Sequence, residues 1–235
     1  MVINFHTKEV KCVNRGKVDT RKEQEIKAVH ENVIRKMNGK KPNEILEMHY
    51  GEDVKIPVDI VAVAKSIGIR LGSIDFTELE KQEPFRAIVG EDNHILGAAY
   101  IRDNGVQIVY QNSLHKIDGS ESLSDVDKDK KLHRRQRFTI AHEIAHCCFD
   151  LTENDTSHIE YRTDDAVDKE KEKKANIFAG ELLIPYDFLE IICSLLKGVI
   201  SISLLADMFD VSRKVMKARI EYVTSTGKLT EYKFV

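Results

Sequence analysis

RFTIAHEIAHCCF, residues 137–149, is the stretch from which the rest of the chain is read. It holds His142, Glu143 and His146 in the order H-E-x-x-H. On a helix, positions i and i+4 share one face a turn apart, so both imidazoles can reach a single ion. Ala141, Ile144, Ala145 and Cys148 form an apolar side that a core would bury. Glu143 stands about 100° round the helix from His142, where its carboxylate can hold a water molecule beside the metal. Zinc suits such nitrogen donors, and a catalytic zinc takes three protein ligands and keeps one position open. The ion brings the water's pKa to about 7, and a nearby carboxylate removes the proton as attack proceeds. An ordinary buried helix carrying two histidines is the plain alternative, so the reading turns on a third ligand.

Downstream carboxylates compete for that place: Glu160, Asp164, Asp165, Asp168, Glu170 and Glu172. EKKANIFAGELLIP, residues 172–185, predicts a helix with Ala175, Phe178, Ala179, Leu182 and Leu183 as its buried stripe. Glu172 lies one turn before Ala175 and Asn176, close enough to that stripe to face inward. Asn176, at i+4 from it, is placed to support the site by a hydrogen bond. Glu170 is the main rival on a more exposed side, and Glu172 has its own plain role as a first-turn carboxylate complementing the helix dipole. Spacing leaves the choice open.

Outward from this pair of helices the pattern is mixed. Residues 20–38 predict an amphipathic helix with Ile26, Val29, Val33, Ile34 and Met37 on one stripe. A short helix is expected around Glu44–Met48, and another opening at Pro57 and stopping at Gly68. The period then alternates: Arg86–Val89, Ile95–Arg102 and Val106–Gln111 read as strands. Asp103-Asn104-Gly105 supplies the hairpin turn between the last two. Residues 115–135 are charged and aperiodic and read as an exposed loop before a helix from about Arg135 to Asp150. The next helix, about 167–183, is halted near Pro185, and two or three more finish the chain. The expected fold is α+β, mainly helical, with a small three-stranded antiparallel sheet beside the H-E-x-x-H zinc helix. Its expected parts are an N-terminal helical extension (1–50), a metallopeptidase domain (51–190) and a C-terminal helix-turn-helix-like subdomain (191–235). Val106–Gln111, the strand nearest the zinc helix in sequence, is expected to offer a free edge for an extended substrate.

The composition narrows the class. Apolar residues make up 42% and charged residues 32%, with a net charge of −3, so no basic excess points to nucleic acid. The four cysteines, Cys12, Cys147, Cys148 and Cys193, are too few for a disulfide framework. MVINFHTKEVKCVNRGK places charges where a signal peptide needs an apolar run, and no stretch approaches the ~20 apolar residues of a membrane span. The expectation is a cytoplasmic chain with no membrane partner.

Several segments together resemble the ImmA/IrrE-type metallo-endopeptidases. The likeness rests on RQRFTIAHEIAH at 135–146 and E-x-x-A-N-x-F-A-x-x-L-L-x-P at 172–185. It extends to the hairpin GAAYIRDNGVQIVYQN and to PVDIVAVAKSIGIRL upstream, covering about residues 55–190. The resemblance implies zinc held at His142, His146 and Glu172, with Glu143 as catalytic base, and so lifts Glu172 above Glu170. It also implies a substrate class: helix-turn-helix repressors, often encoded nearby, whose cleavage derepresses mobile-element or stress-response genes. Two features depart from the family, the charged 115–134 segment and the extra residues 1–50.

The remaining candidates weigh less. Cys147 and Cys148 follow the motif but turn away from the ligand face and read as small buried side chains. His158, Tyr161, Arg162 and Tyr186 are candidates for stabilising an oxyanion. Residues 201–223 have the look of a helix-turn-helix, packed by Leu204, Leu205, Ala206 and Phe209 around a turn at Asp210-Val211-Ser212. Its local charge of about +1 argues for a lid or a repressor-docking surface over direct nucleic-acid binding. The alternative function is a non-proteolytic DNA- or repressor-binding regulator with a structural zinc site.

Overall fold

Ser124 starts the helix that carries the H-E-x-x-H motif: its side chain accepts a hydrogen bond from the Asp127 backbone N–H, 3.2 Å away. Asp125 and Asp127 in the first turn complement the helix dipole. In the computed structural model, which describes residues 2–4, 9–11, 33–81, 95–102, 105–114, 122–150 and 169–235, this helix runs unbroken over Asp125–Phe149. The expected start at Arg135 is therefore corrected by about three turns, and much of the supposed loop is helical. The reason is that these turns are held by charge, which leaves no apolar period to read. Lys130 and Arg134 meet Asp207 at 2.9 and 2.7 Å, and Arg134 also meets Asp210 at 3.0 Å. Arg137, nearly buried, donates to the Asp210 carbonyl at 3.0 Å and the Phe209 carbonyl at 3.4 Å.

Eight helices have bounds among the described residues: α1 (Pro42–Tyr50), α2 (Ile60–Ser66), α3 (Thr77–Glu80), α4 (Asp125–Phe149), α5 (Lys169–Leu183), α6 (Tyr186–Leu196), α7 (Ile202–Met208) and α8 (Arg213–Ser225). Residues 33–37 are helical too and bury Val33, Ile34 and Met37, as the amphipathic pattern requires; residues 20–32 of that expected helix lie outside the described residues. α1 has Pro42 in its first turn and a Glu44 carboxylate accepting from the Lys41 N–H at 2.9 Å. α2 begins after Pro57, with Asp59 as its cap, and ends before Gly68 at φ 91°.

The strands are β1 (Val2–Asn4), β2 (Glu9–Lys11), β3 (Arg70–Ile74), β4 (Gly97–Arg102), β5 (Gly105–Gln111), β6 (Val199–Ile200) and β7 (Lys233–Phe234). The central sheet has the order β3-β5-β4, with β4–β5 the expected antiparallel hairpin and β3 parallel to β5. It is mixed, and the expectation of an antiparallel sheet is corrected. Residues 75–104 intervene between β3 and β5, long enough for the crossover a parallel pair needs. The expected strand Arg86–Val89 lies outside the described residues.

The substrate-edge expectation also falls. β5 is paired on both sides, so Val106–Gln111 has no free edge, and Val106 and Ile108 are fully buried.

One contiguous core joins these layers. Ile140 and Ile144 of α4, Leu182 and Leu183 of α5, Ile45 of α1, Val63 of α2 and Ile108 of β5 all lie within it. It continues through Leu205, Phe209, Met216 and Ile220 of α7 and α8, while Leu204, expected to pack, is 46% exposed. The turn between α7 and α8 is Asp210-Val211-Ser212 as expected, with Asp210 at φ 50° and Ser212 capping α8.

Candidate metal centre

α4 and α5 lie against each other and run in opposite directions at the site, since His142 meets Asn176 while His146 meets Glu172. Ala141, Ile144, Ala145 and Cys148 are buried as the apolar side of α4 requires, and His142 and His146 are buried on the side toward α5. Their Nε2 atoms are 3.0 Å apart. Glu172 places one carboxylate oxygen 3.2 Å from His142 Nε2 and the other 3.3 Å from His146 Nε2. These three side chains form a group that could hold a metal ion.

The outer nitrogens explain what the inner ones demand. His142 Nδ1 lies 3.1 Å from Asn176 Oδ1, and His146 Nδ1 lies 2.8 Å from Asp150 Oδ2. Both partners are acceptors, so both Nδ1 atoms carry hydrogen. Both inner Nε2 atoms therefore face one another and the Glu172 carboxylate. Hydrogen bonding from His142 first, and His146 next, holds the Glu172 carboxyl well below the usual carboxylate range, so the third donor is charged. An ion placed among them would take the place of the shared hydrogens, and two imidazole nitrogens with one carboxylate suit an open zinc site.

Glu143 is 1% exposed and follows His142 directly. β4 closes over it: a Cβ built at Gly97 would lie 3.2 Å from Glu143 Oε1 and 2.3 Å from Thr139 Cγ2. Only glycine lets the strand approach this closely.

The other expectations sort as follows. Glu170 is exposed in the first turn of α5 and stands outside the convergent group. Glu160, Asp164, Asp165 and Asp168 lie outside the described residues, as do His158, Tyr161 and Arg162. Tyr186 hydrogen-bonds Glu190 and carries Lys228 over its ring at 4.0 Å. Cys147 and Cys148 are buried, and burial pushes the Cys148 thiol up to about 12. Asp150 was not anticipated, although its place at i+4 from His146 was a usable signal. A cleft of about 960 Å³ opens along α4, α5 and α8, with Glu172 and Asn176 in its wall.

No curated protein matches the chain. Residues 128–221 match the family model Peptidase_M78, described as the IrrE N-terminal-like domain. The match begins within α4 and ends within α8, so it takes in both histidines, Glu172 and the C-terminal helices, whereas the resemblance read from the sequence centred on residues 55–190. The family that residues 128–221 match, Peptidase_M78, is a metallopeptidase family and the kind to which the ImmA/IrrE likeness pointed.

Proposed function

We propose that the chain is a zinc-dependent endopeptidase, with His142, His146 and Glu172 as ligands and Glu143 as general base. The observation that carries this reading is the convergence of two imidazole Nε2 atoms and the Glu172 carboxylate beside a fully buried Glu143. A bound zinc ion would supply Lewis acidity to a water molecule and to the scissile carbonyl. Glu143 takes a proton from the attacking water and delivers it to the departing amine. Asn176 and Asp150 keep both rings in the orientation that aims Nε2 inward. β4, passing close at Gly97, leaves the Glu143 carboxylate little room to move.

A non-proteolytic regulator with a structural zinc is the second reading. Two features weigh against it. Structural zinc sites favour closed, cysteine-rich shells, and a buried carboxylate beside the ligands costs stability that a structural site has no reason to bear. The substrate proposed is an intracellular protein, a helix-turn-helix repressor encoded nearby, cleaved in the cytoplasm to derepress mobile-element or stress-response genes. No described helix is long and apolar enough to cross a membrane.

Two variants test the proposal. His142→Ala is expected to lose the zinc that the purified chain carries, read by elemental analysis. Glu143→Gln is expected to keep zinc while cleavage of the repressor falls by about a hundredfold or more. Undiminished cleavage by a zinc-loaded Glu143→Gln chain would sink the mechanism and promote the regulator.

A further inference from the structure

Among the described residues, the charge that lines the cleft beside the metal centre is mostly positive. Its cationic lining comes from three helices: Lys131, Arg134 and Arg135 on α4, Lys169 and Lys173 on α5, and Lys214 and Arg219 on α8. Among the described residues the one acid in the lining is Glu172, whose charge is directed at the two histidines. The chain as a whole is at −3, so this is local segregation and not a general basic excess. Part of the charge is already answered: Arg134 by Asp207 and Asp210, and Arg219 by Glu181 at 3.4 Å and the Ile184 carbonyl at 3.2 Å. Lys169, Lys173 and Lys214 are exposed, and among the described residues no carboxylate pairs with them.

We infer that this cleft binds an acidic stretch of the polypeptide that the site cleaves, an assignment of substrate class that rests on the protease reading. On α5 the cleft face is the stripe Lys169, Glu172, Lys173, Asn176, Ile177 and Gly180, at helical spacing. The corresponding stripe on α4 runs from Lys131 through Phe138 toward His142. At 1.5 Å per residue, Lys131 stands about 16 Å along the helix from His142. An extended peptide rises about 3.3 Å per residue, so these cations meet side chains about four or five positions from the cleaved bond. Lys169 lies within a turn of Glu172 toward the opposite end and Lys173 directly follows Glu172, so both meet residues next to the cleaved bond. Phe138, Ile177 and Val215 supply apolar lining between the charges. The occupant is therefore a chain of acidic and apolar residues.

A polynucleotide fits this cleft less well. A helix that reads duplex DNA must stand free to enter a major groove about 12 Å wide. Here Ser212, the cap of α8, and Val215, Arg219 and Tyr222 line the cleft, while Met216, Ile220 and Val223 are packed in the core.

The test uses the full-length, zinc-loaded Glu143→Gln chain, so that binding is read without turnover. A fluorescein-labelled Glu-Leu repeat peptide, its Lys-Leu counterpart and a labelled DNA duplex are compared by anisotropy. The acidic peptide is expected to bind, and to be released as salt rises to about 0.5 M. Lys173→Glu with Lys214→Glu is expected to weaken it about tenfold, and the neutral Lys→Gln pair to fall between if reversal perturbs folding. Failure of the acidic peptide to bind, indifference to both double variants, or tighter binding of duplex DNA would overturn the inference. Intact peptide binding, with no cleavage by the unsubstituted chain of any acidic protein tried, would overturn the protease reading and leave the cleft assignment standing.

Discussion

Gly97 shows what a single residue contributes at this site. An alanine there would press its methyl group to 2.3 Å from Thr139 Cγ2 and 3.2 Å from Glu143 Oε1. Since Thr139 is held in buried helix, the strand has to back away from α4. Gly97→Ala is expected to cost about 1–3 kcal/mol, read as a lower chemical-denaturation midpoint. It is also expected to cut peptide cleavage more than zinc content, because Glu143 moves and the ligands stay. Equal stability and equal cleavage would show that the close approach is relieved without consequence. At this scale the sequence is informative where the chemistry repeats along one helix. His142 with His146, and Glu172 with Asn176, are i and i+4 pairs; the first two meet each other, and the second two both reach His142. Asp150 follows the same rule and was overlooked. Gly97 was not legible, because its constraint comes from a helix more than forty residues further along the chain.

The elements were legible wherever they bury an apolar stripe and illegible where something else holds them. α5 and the β4–β5 hairpin come within about two residues of their patterns. The first turns of α4 are illegible because their partners are Asp207 and Asp210, more than seventy residues further along the chain. β3 escaped because it alternates weakly and pairs in parallel with a strand met only after a crossover. Asp210 tests the first of these explanations. Its carboxylate meets Arg134 at 3.0 Å, Arg137 at 3.4 Å and His133 at 3.1 Å. Asp210 also holds a positive φ of 50°, which asparagine tolerates, so Asp210→Asn removes the charge with little change in backbone or shape. The nearly buried Arg137 guanidinium would keep its carbonyl acceptors and lose its counter-charge. The expected loss is about 1–3 kcal/mol, with faster hydrogen exchange over residues 125–134. If exchange there is unchanged, the Asp210 charge does not hold the early turns of α4, which then rest on local capping and the Asp207 pairs.

At the scale of the whole molecule, the C-terminal segment is tied back to the core. Ile202 N donates to the Val235 carbonyl at 2.7 Å and Val235 N to the Ile200 carbonyl at 3.0 Å, so β6 and β7 lie beside the end of α6. Cys193 of α6 is buried next to this clip. Burial, with Glu231 nearby, pushes its thiol up from 9.0 to about 11. In the unfolded chain the same thiol ionises near its usual value, so between pH 9 and 11 the unfolded state has lost a proton that the folded state still holds. The unfolded state therefore binds fewer protons, and stability must fall as pH rises through this window. The contribution is fully present below pH 9 and gone above about 11. Lysines and tyrosines titrate over the same range, so the wild-type curve alone cannot isolate the thiol. Cys193→Ala removes it at the cost of a small cavity that does not depend on pH. Denaturation of both chains at pH 8, 9, 10 and 11 is expected to show the wild-type advantage shrinking as pH rises, by at most about 1.4 kcal/mol per pH unit. A difference that stays flat from pH 8 to 11 would mean that the thiol ionises alike in both states, and that the clip does not keep water from α6.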